Sequence, residues 1–437
     1  MDLIKKYEAA YANLETVIKD RIQSGKYMAL GYTSNLDYLC DFSADRINEF
    51  LKKYLPDAEL MKLKAFHKIH SMEELLSTIV FYCLHGIGGE AEICDTALIR
   101  QNFKWTPGMG GTGTQAAMAL AAVGCPSVVH LTDDSEEVCG ILKSPYIYTI
   151  SPKGELIGTS EVEHTAEQEV HCIIQFKKGD AICLGDQMAE IPVSNRLILT
   201  KMTVNVEVPF FKPYFTYIEQ HAQQFSSNVL SSFNEISDQE LLMERLDYVK
   251  SHIQKYRRKN RSGILFFEDA HYHDYEIRKL CIEHLYSQVD IVSLNEEELK
   301  YTLEMYDYRI DIEDIVSCVK GVKYIRDRFA VQKGIIVHTK DYAMYVGEKL
   351  NADIETGLMY GNMLATAKAF GGWYGTKEQI GEILKFALSE NGVKRRNTIS
   401  GSKYNPEVVL VPSKYIDKPK YTIGLGDSFV AGVQMCF

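Results

Sequence analysis

Alternation constrains this chain more than any other feature. Short runs rich in β-branched and aromatic residues recur at 27–31, 127–131, 197–204, 263–267, 290–294, 334–338 and 407–412. Longer stretches with helical spacing, such as 238–256 and 274–286, separate many of them. Parallel strands need a crossover long enough to hold a helix. The alternation therefore predicts an α/β fold with a mostly parallel sheet covered by helices on both faces. Two regions, about 56–110 and 143–196, interrupt the pattern with short alternating runs such as 146–150 and 171–176. Ligand sites in open α/β sheets lie beyond the carboxyl ends of the strands. The interruptions are expected to form a smaller, discontinuous α+β lid over that edge, within one large α/β unit spanning 1–437.

Charge narrows the partners. The formal net charge is −11, whereas a protein that coats a duplex needs a dense basic surface, so no nucleic-acid partner is expected. Net acidity does not bar a small anion, because phosphate sites are local and can be built from backbone N–H groups. The most apolar stretch, 116–129, is broken by Gly124 and Pro126. It falls short of the roughly 20 apolar residues that span a bilayer, so no membrane partner is expected. The ten cysteines are scattered, with no CxxC pair and no Cys/His cluster. They read as reduced thiols of a cytoplasmic protein.

The segment 421–435 carries the densest signal. A short lead-in reaches Gly424-Leu425-Gly426-Asp427, and a helical pattern follows. Glycines let a turn bring its N–H groups close to a ligand. The helix behind it points unsatisfied N–H groups and its positive dipole end into the same space. A transferring phosphoryl group is favoured there, and a carboxylate at that place can accept the proton of an attacking hydroxyl. A simpler reading has the glycines make a turn and Asp427 cap the helix. Spacing alone admits both.

A second pair stands upstream. Asn295 and Glu298 lie three apart where a β run meets a helical run, which puts both side chains on one face of a first turn. An amide and a carboxylate there can hold the water shell of Mg²⁺. They can equally serve as N-cap and capping-box partner.

Gly424-x-Gly-Asp427 together with Asn295-x-x-Glu298, in that order, resembles the ribokinase-like superfamily. More narrowly, the chain resembles the ADP-dependent glucokinase and phosphofructokinase family. Gly31-Tyr-Thr-Ser-Asn35-Leu-Asp37, Gly88-Gly-Glu90-Ala-Glu92 and Gly110-Gly111-Thr-Gly113 resemble its sugar-side segments. The resemblance implies a ribokinase-like, mostly parallel sheet flanked by helices with an inserted lid, and a nucleotide site on the large unit. It implies Asn35, Asp37, Glu92, Gly110 and Gly111 as sugar contacts. Asn295, His338, Thr339 and Leu425 fall on the nucleotide side, along with the helical stretch 361–369. Glu268, Glu298 and Asp427 are implied at the metal. The expected reaction is phosphoryl transfer from ADP, with Mg²⁺, to a hexose hydroxyl. Asp427 is the base, and the backbone of Gly424 and Gly426 faces the phosphoryl group. One departure stands out: Phe266 occupies the place of the family's His in a His-x-Glu motif, while Glu268 remains. The acidity of Glu92 favours an unphosphorylated hexose. An ATP-dependent sugar kinase of the same fold and a non-catalytic sugar or nucleotide sensor are the alternatives. A monomer or small homo-oligomer is expected.

Other groups carry less. Gly110-Gly111-Thr-Gly113 lacks the Gly-Lys-Ser/Thr ending of a Walker loop. The pair His271 and His273 reads as loop chemistry rather than a metal site. Lys177, Lys178, Arg196 and Lys201 are positioned either to meet a sugar phosphate or simply to face solvent.

Overall fold

The computed structural model describes residues 2–164, 168–201, 203–272, 274–417 and 419–437. Among them, strands form a large sheet in the order Val408–Pro412, Tyr342–Gly347, Gly334–His338, Ile291–Asn295, Ile264–Glu268, Phe225–Leu230, Tyr27–Leu30, Ser127–Val129, Ile147–Ile150, Leu156–Gly158. Neighbours from Gly334–His338 through Ile147–Ile150 are parallel; the pairings outside them at each edge are antiparallel.

Strand periodicity explains why this sheet holds two cores. Ile264 and Phe266 face one apolar cluster, shared with the helices Ile354–Gly371 and Leu425–Gln434. Leu265 and Phe267 face the other, beneath Gln239–Lys259 and Tyr275–Leu285. A strand buried on both faces reads as an unbroken apolar run, which is why 263–267 was legible as one. Phe266, at the position of the family histidine, is fully buried in the first of these clusters.

A smaller sheet has the order Lys68–Ile69, Gly89–Ile93, Asn195–Lys201, Val170–Phe176, Asn35–Cys40, Trp105–Gly110. It divides the chain differently from the sequence expectation. Ile147–Ile150 and Leu156–Gly158, inside the expected 143–196 insertion, pair into the large sheet. Asn35–Cys40, outside both expected insertions, lies within the small one. Asn195–Lys201, which holds the first part of the run at 197–204, belongs to the small sheet as well. Alternation reports that a segment is a strand but not which sheet completes its hydrogen bonds. The chain crosses between the sheets after Leu30, Gly110, Gly158 and Lys201. Among the described residues no helix is long and apolar enough to cross a membrane.

Candidate active site

The Gly424–Asp427 turn is held by its neighbours. Gly424 has φ +64°, and a Cβ there would strike the side chain of Gln115 and come within 2.5 Å of Lys368 Nζ. Only glycine fits both the conformation and the space. The helix Leu425–Gln434 begins at once, with Gly424 as N-cap and no side chain capping it. Its first N–H groups therefore lack intrahelical acceptors. Asp427 sits inside the first turn and is not the cap, so the capping explanation of this residue does not hold. Two turns further along, Gly432 packs against the backbone at Gly361 so closely that a Cβ has no room. That contact fixes the helix on Ile354–Gly371.

Lys368, on that same helix, is 2% exposed. Its ammonium donates to Gln115 Oε1 at 2.7 Å and to the Gly424 carbonyl at 3.3 Å, and lies over the Tyr374 ring. Burial lowers its pKa from 10.5 to about 8, against the pull of Asp427 and Asp37. Burial likewise raises the Asp427 carboxyl, opposed by Lys368, a hydrogen bond from Thr112, and His338. Thr112 opens the helix Thr112–Ala122, whose N-cap Gly111 has φ +88° and no side-chain cap bond. Two uncapped helix N-termini thus meet beside one carboxylate.

On the small-sheet side, Asn35 Nδ2 donates to Asp37 Oδ1 at 2.7 Å, and both side chains are buried. Gly110 pairs with Asn35 across the ladder, and a Cβ there would overlap its amide. Burial pushes the Asp37 carboxyl up to about 6, against the pull of His171 and Lys368, and the charge of Asp427 raises it further. Asn35, Asp37, Gly110, Gly111, Lys368 and Asp427 therefore form one neighbourhood. Glu92 lies in the same cross-strand row as His171 and Asp37, with Thr200 of the intervening strand between it and His171, and its exposed side chain pairs with Lys68 at 2.7 Å.

The large-sheet side is rich in carboxylates. A cleft of about 570 Å³ is lined by Thr112, Arg196, Glu268, Asn295, Glu298, His338, Thr339 and the turn 424–427, with Ala365, Ala369, Ile416 and Pro419 on one wall. Glu268 Oε1 lies 3.0 Å from His338 Nε2, while its Oε2 is buried without a partner. His338 packs on Phe429 of the C-terminal helix, which ties this end to the turn. The Asn295/Glu298 pair forms the capping box: Asn295 Oδ1 accepts from the N–H groups of Glu297 and Glu298, and Glu298 Oε2 accepts from Asn295 N–H. Burial, then the charges of Asp269 and Glu268, push the Glu298 carboxyl up to about 8. Capping and a place at the cleft coexist in one side chain. No group of three or more His, Cys, Asp or Glu among the described residues is arranged to hold a metal by itself. His271 lines the cleft, and His273 lies outside the described residues. Of the four surface cations, Arg196 reaches the cleft wall.

The conserved region of the ADP-specific phosphofructokinase and glucokinase proteins matches residues 26–434. The chain belongs to that family. It is 23% identical to the ADP-specific phosphofructokinase of Pyrococcus furiosus over 442 residues, covering 93% of this chain and 95% of the relative. It is 22% identical to the ADP-dependent glucose/glucosamine kinase of Pyrococcus abyssi over 446 residues, covering 97% and 96%. A phosphofructokinase from Pyrococcus horikoshii solved with AMP superimposes with a TM-score of 0.77 at 20% identity, covering 94% of this chain and 97% of that one. An ADP-dependent kinase in complex with fructose-6-phosphate and ADPbetaS gives 0.76 at 18%, covering 100% and 98%. The α/β fold expected from the sequence is the fold of these kinases.

Two residues beside Asp37 and Asp427 escaped the sequence reading. Lys368 follows Gly361 and Leu364 on the buried face of its helix, so the signal was a cation at an apolar position. His171 alternates with the buried Val170 and Cys172, and at a half-buried strand position it looked like an ordinary outward residue.

Proposed function

We propose that this family member transfers the terminal phosphoryl group of ADP to a hexose hydroxyl, with Asp427 as the base. The observation that carries the reading is the position of Asp427. It stands where two uncapped helix N-termini, a buried ammonium and the Asn35–Asp37 pair converge. Loose phosphoryl-transfer transition states need positioning and charge neutralisation more than covalent help. The N–H groups at Gly424–Asp427 offer that neutralisation, and burial of the Asp427 carboxyl makes it a stronger proton acceptor once ionised. Lys368 supplies a positive charge behind the turn and sets its carbonyl in place.

Asn35, Asp37, Gly110 and Gly111 orient the sugar. The cations His171 and Lys368 and the carboxylate of Asp427 all act on Asp37, and the two cations keep it a charged acceptor for sugar hydroxyl groups. At the other end, Asn295, His338, Thr339 and Leu425 border the donor phosphates, and the apolar wall at Ala365, Ala369, Ile416 and Pro419 suits a base.

A divalent cation fits the carboxylate end. Glu268 keeps an unpartnered oxygen, and Glu298 is crowded by Asp269 and Glu268, a repulsion that a cation relieves. Glu268 and Glu298 would hold Mg²⁺, partly through water, with Asp427 adjacent. When bound, it supplies charge neutralisation for the donor phosphates.

The test is a matrix of ADP and ATP against glucose, glucosamine and fructose 6-phosphate in a coupled assay, repeated with Asp427→Asn. Transfer from ADP is expected, and the variant should lose about 10²–10⁴-fold in kcat with its fold intact. No transfer from any pairing would refute a kinase and leave a sensor. Unchanged turnover in the variant would remove Asp427 from its role.

A further inference from the structure

Three of the four crossings between the sheets, and the loop after Ser127–Val129, meet in one buried hydrogen-bonded knot. Ser34, from the first crossing, donates its backbone N–H to Thr132 Oγ1 at 2.9 Å, and its hydroxyl accepts from the N–H groups of Thr132 and Asp133. Asn205, from the last crossing, accepts from Thr132 Oγ1 at 2.6 Å and donates to the Ser34 carbonyl. Glu169, from the third, donates its N–H to Asp133 Oδ2 at 2.9 Å.

The Glu169 side chain is fully buried and divides its work between two places. Oε2 accepts from Thr203 N–H at 2.7 Å, Thr203 Oγ1 at 2.8 Å and Asn205 N–H at 3.2 Å. Oε1 lies 3.5 Å from His171 Nε2, long for a hydrogen bond and short enough for an ion pair. The other ring nitrogen, Nδ1, is 4.0 Å from Asp37 Oδ1. A chain of contacts thus runs from the crossing 203–205 through Glu169 and His171 to Asp37.

We propose that Glu169 is a positioning residue for sugar binding: it holds His171, as a cation, against Asp37, and takes its own place from the crossing that joins the two sheets. This rests on the reading of Asp37 as a sugar contact. Glu169 reaches no substrate itself and acts through His171. Burial alone would lower the His171 pKa, but Glu169, Asp37 and Glu235 outweigh it and push the value up to about 9. These carboxylates come from the Asn35–Cys40 strand, the Phe233–Glu235 turn and Glu169 itself. The strand Asn195–Lys201 opposes the ring with uncharged Thr200. The imidazole is therefore charged throughout the neutral range in the native protein.

Glu169→Gln keeps the shape and an acceptor for the crossing but removes the charge facing His171. The imidazole then loses its proton within the neutral range as pH rises. The sugar KM of the variant is expected to climb at least tenfold between pH 6 and 8.5, while that of the native protein changes less than threefold. The ADP KM should stay within threefold in both. A sugar KM that is unchanged, or that rises equally at all pH values together with the ADP KM, overturns the proposal. Should Glu169→Gln fail to fold, Thr203→Val decides, since it removes one of the three donors to Oε2 and, besides that, only a contact with the Gln168 carbonyl. A sugar KM raised threefold or more with an unmoved ADP KM supports the proposal, and an unmoved sugar KM refutes it. Asp37→Asn separates the two levels: if it leaves the sugar KM alone, the sugar site itself is misplaced, whatever Glu169 does.

Discussion

Replacing Lys368 by methionine separates stability from activity. Methionine matches the length of the lysine stem, so the change removes mainly the charge, with its place over the Tyr374 ring, and two donated hydrogen bonds. A side-chain pKa lowered from 10.5 to about 8 in the native state corresponds, at 1.36 kcal/mol per pH unit, to about 3.4 kcal/mol against the charged native form. The sign follows from proton counts. Between pH 8 and 10.5 the unfolded chain holds a proton that the native one has released, so this group makes stability rise with pH across that window. Below pH 8 the full penalty is present. Loss of two hydrogen bonds offsets it by about 1 kcal/mol each, which leaves the variant about 1–2 kcal/mol more stable at pH 7. That advantage should fade towards pH 10.5. Activity moves the other way, because Asp427 and Asp37 lose their shared counter-charge and the Gly424 carbonyl loses one of its donors. A fall in kcat of tenfold or more is expected. Urea unfolding at pH 7 and pH 10, paired with the coupled assay, reads both quantities. A variant that is less stable at pH 7, by an amount that does not change with pH, would show Lys368 to be a structural tie and refute the reasoning.

Gly424→Ala forces a left-handed residue with a Cβ against Gln115 and Lys368. Backbone strain alone costs about 1–3 kcal/mol, so both the melting temperature and kcat should drop. Normal kinetics would show that the turn tolerates a side chain. Glu298→Gln removes a carboxyl whose pKa rises from 4.5 to about 8 on folding. In the native protein that group contributes stability below pH 4.5 and loses it as pH rises through 8. The metal-free variant should therefore gain relative stability across that span while needing more Mg²⁺ for half-maximal rate. An unchanged Mg²⁺ requirement would leave Glu298 with its capping role only.

Much of the scaffold was legible because its strands are buried on both faces and read as apolar runs. Phe225–Leu230 and Tyr342–Gly347 were not. The first carries Ser227 and Asn228, polar groups that only the finished structure buries, and the second lies one strand in from the sheet edge and pairs antiparallel with both neighbours. Asn35–Cys40 follows Tyr27–Leu30 after a few residues, and nothing local says that it leaves for another sheet. The Gly424–Asp427 turn was visible because chemistry and turn share consecutive residues. Lys368 was hidden because its role depends on Gln115 and Gly424, which only folding brings to it. The pairing of Glu92 with Lys68 was hidden for the mirror reason: the edge strand places Lys68 beside it, and sequence does not say which neighbour a charge will choose.

The close seam between Gly361 and Gly432 has a consequence for how the reaction is assembled. With no side chain between them, the helix carrying Lys368 and the helix carrying Asp427 behave as one welded part. Asp427, Lys368 and the Gly424–Asp427 turn are carried together. Asn35 and Asp37, the proposed acceptor contacts, are carried by the other sheet. On the proposed reaction, alignment of the attacking oxygen is a matter of bringing the alcohol to a preset base. Substitutions at Gly361 or Gly432, remote from any substrate, should be felt as misaimed chemistry before they are felt as lost fold.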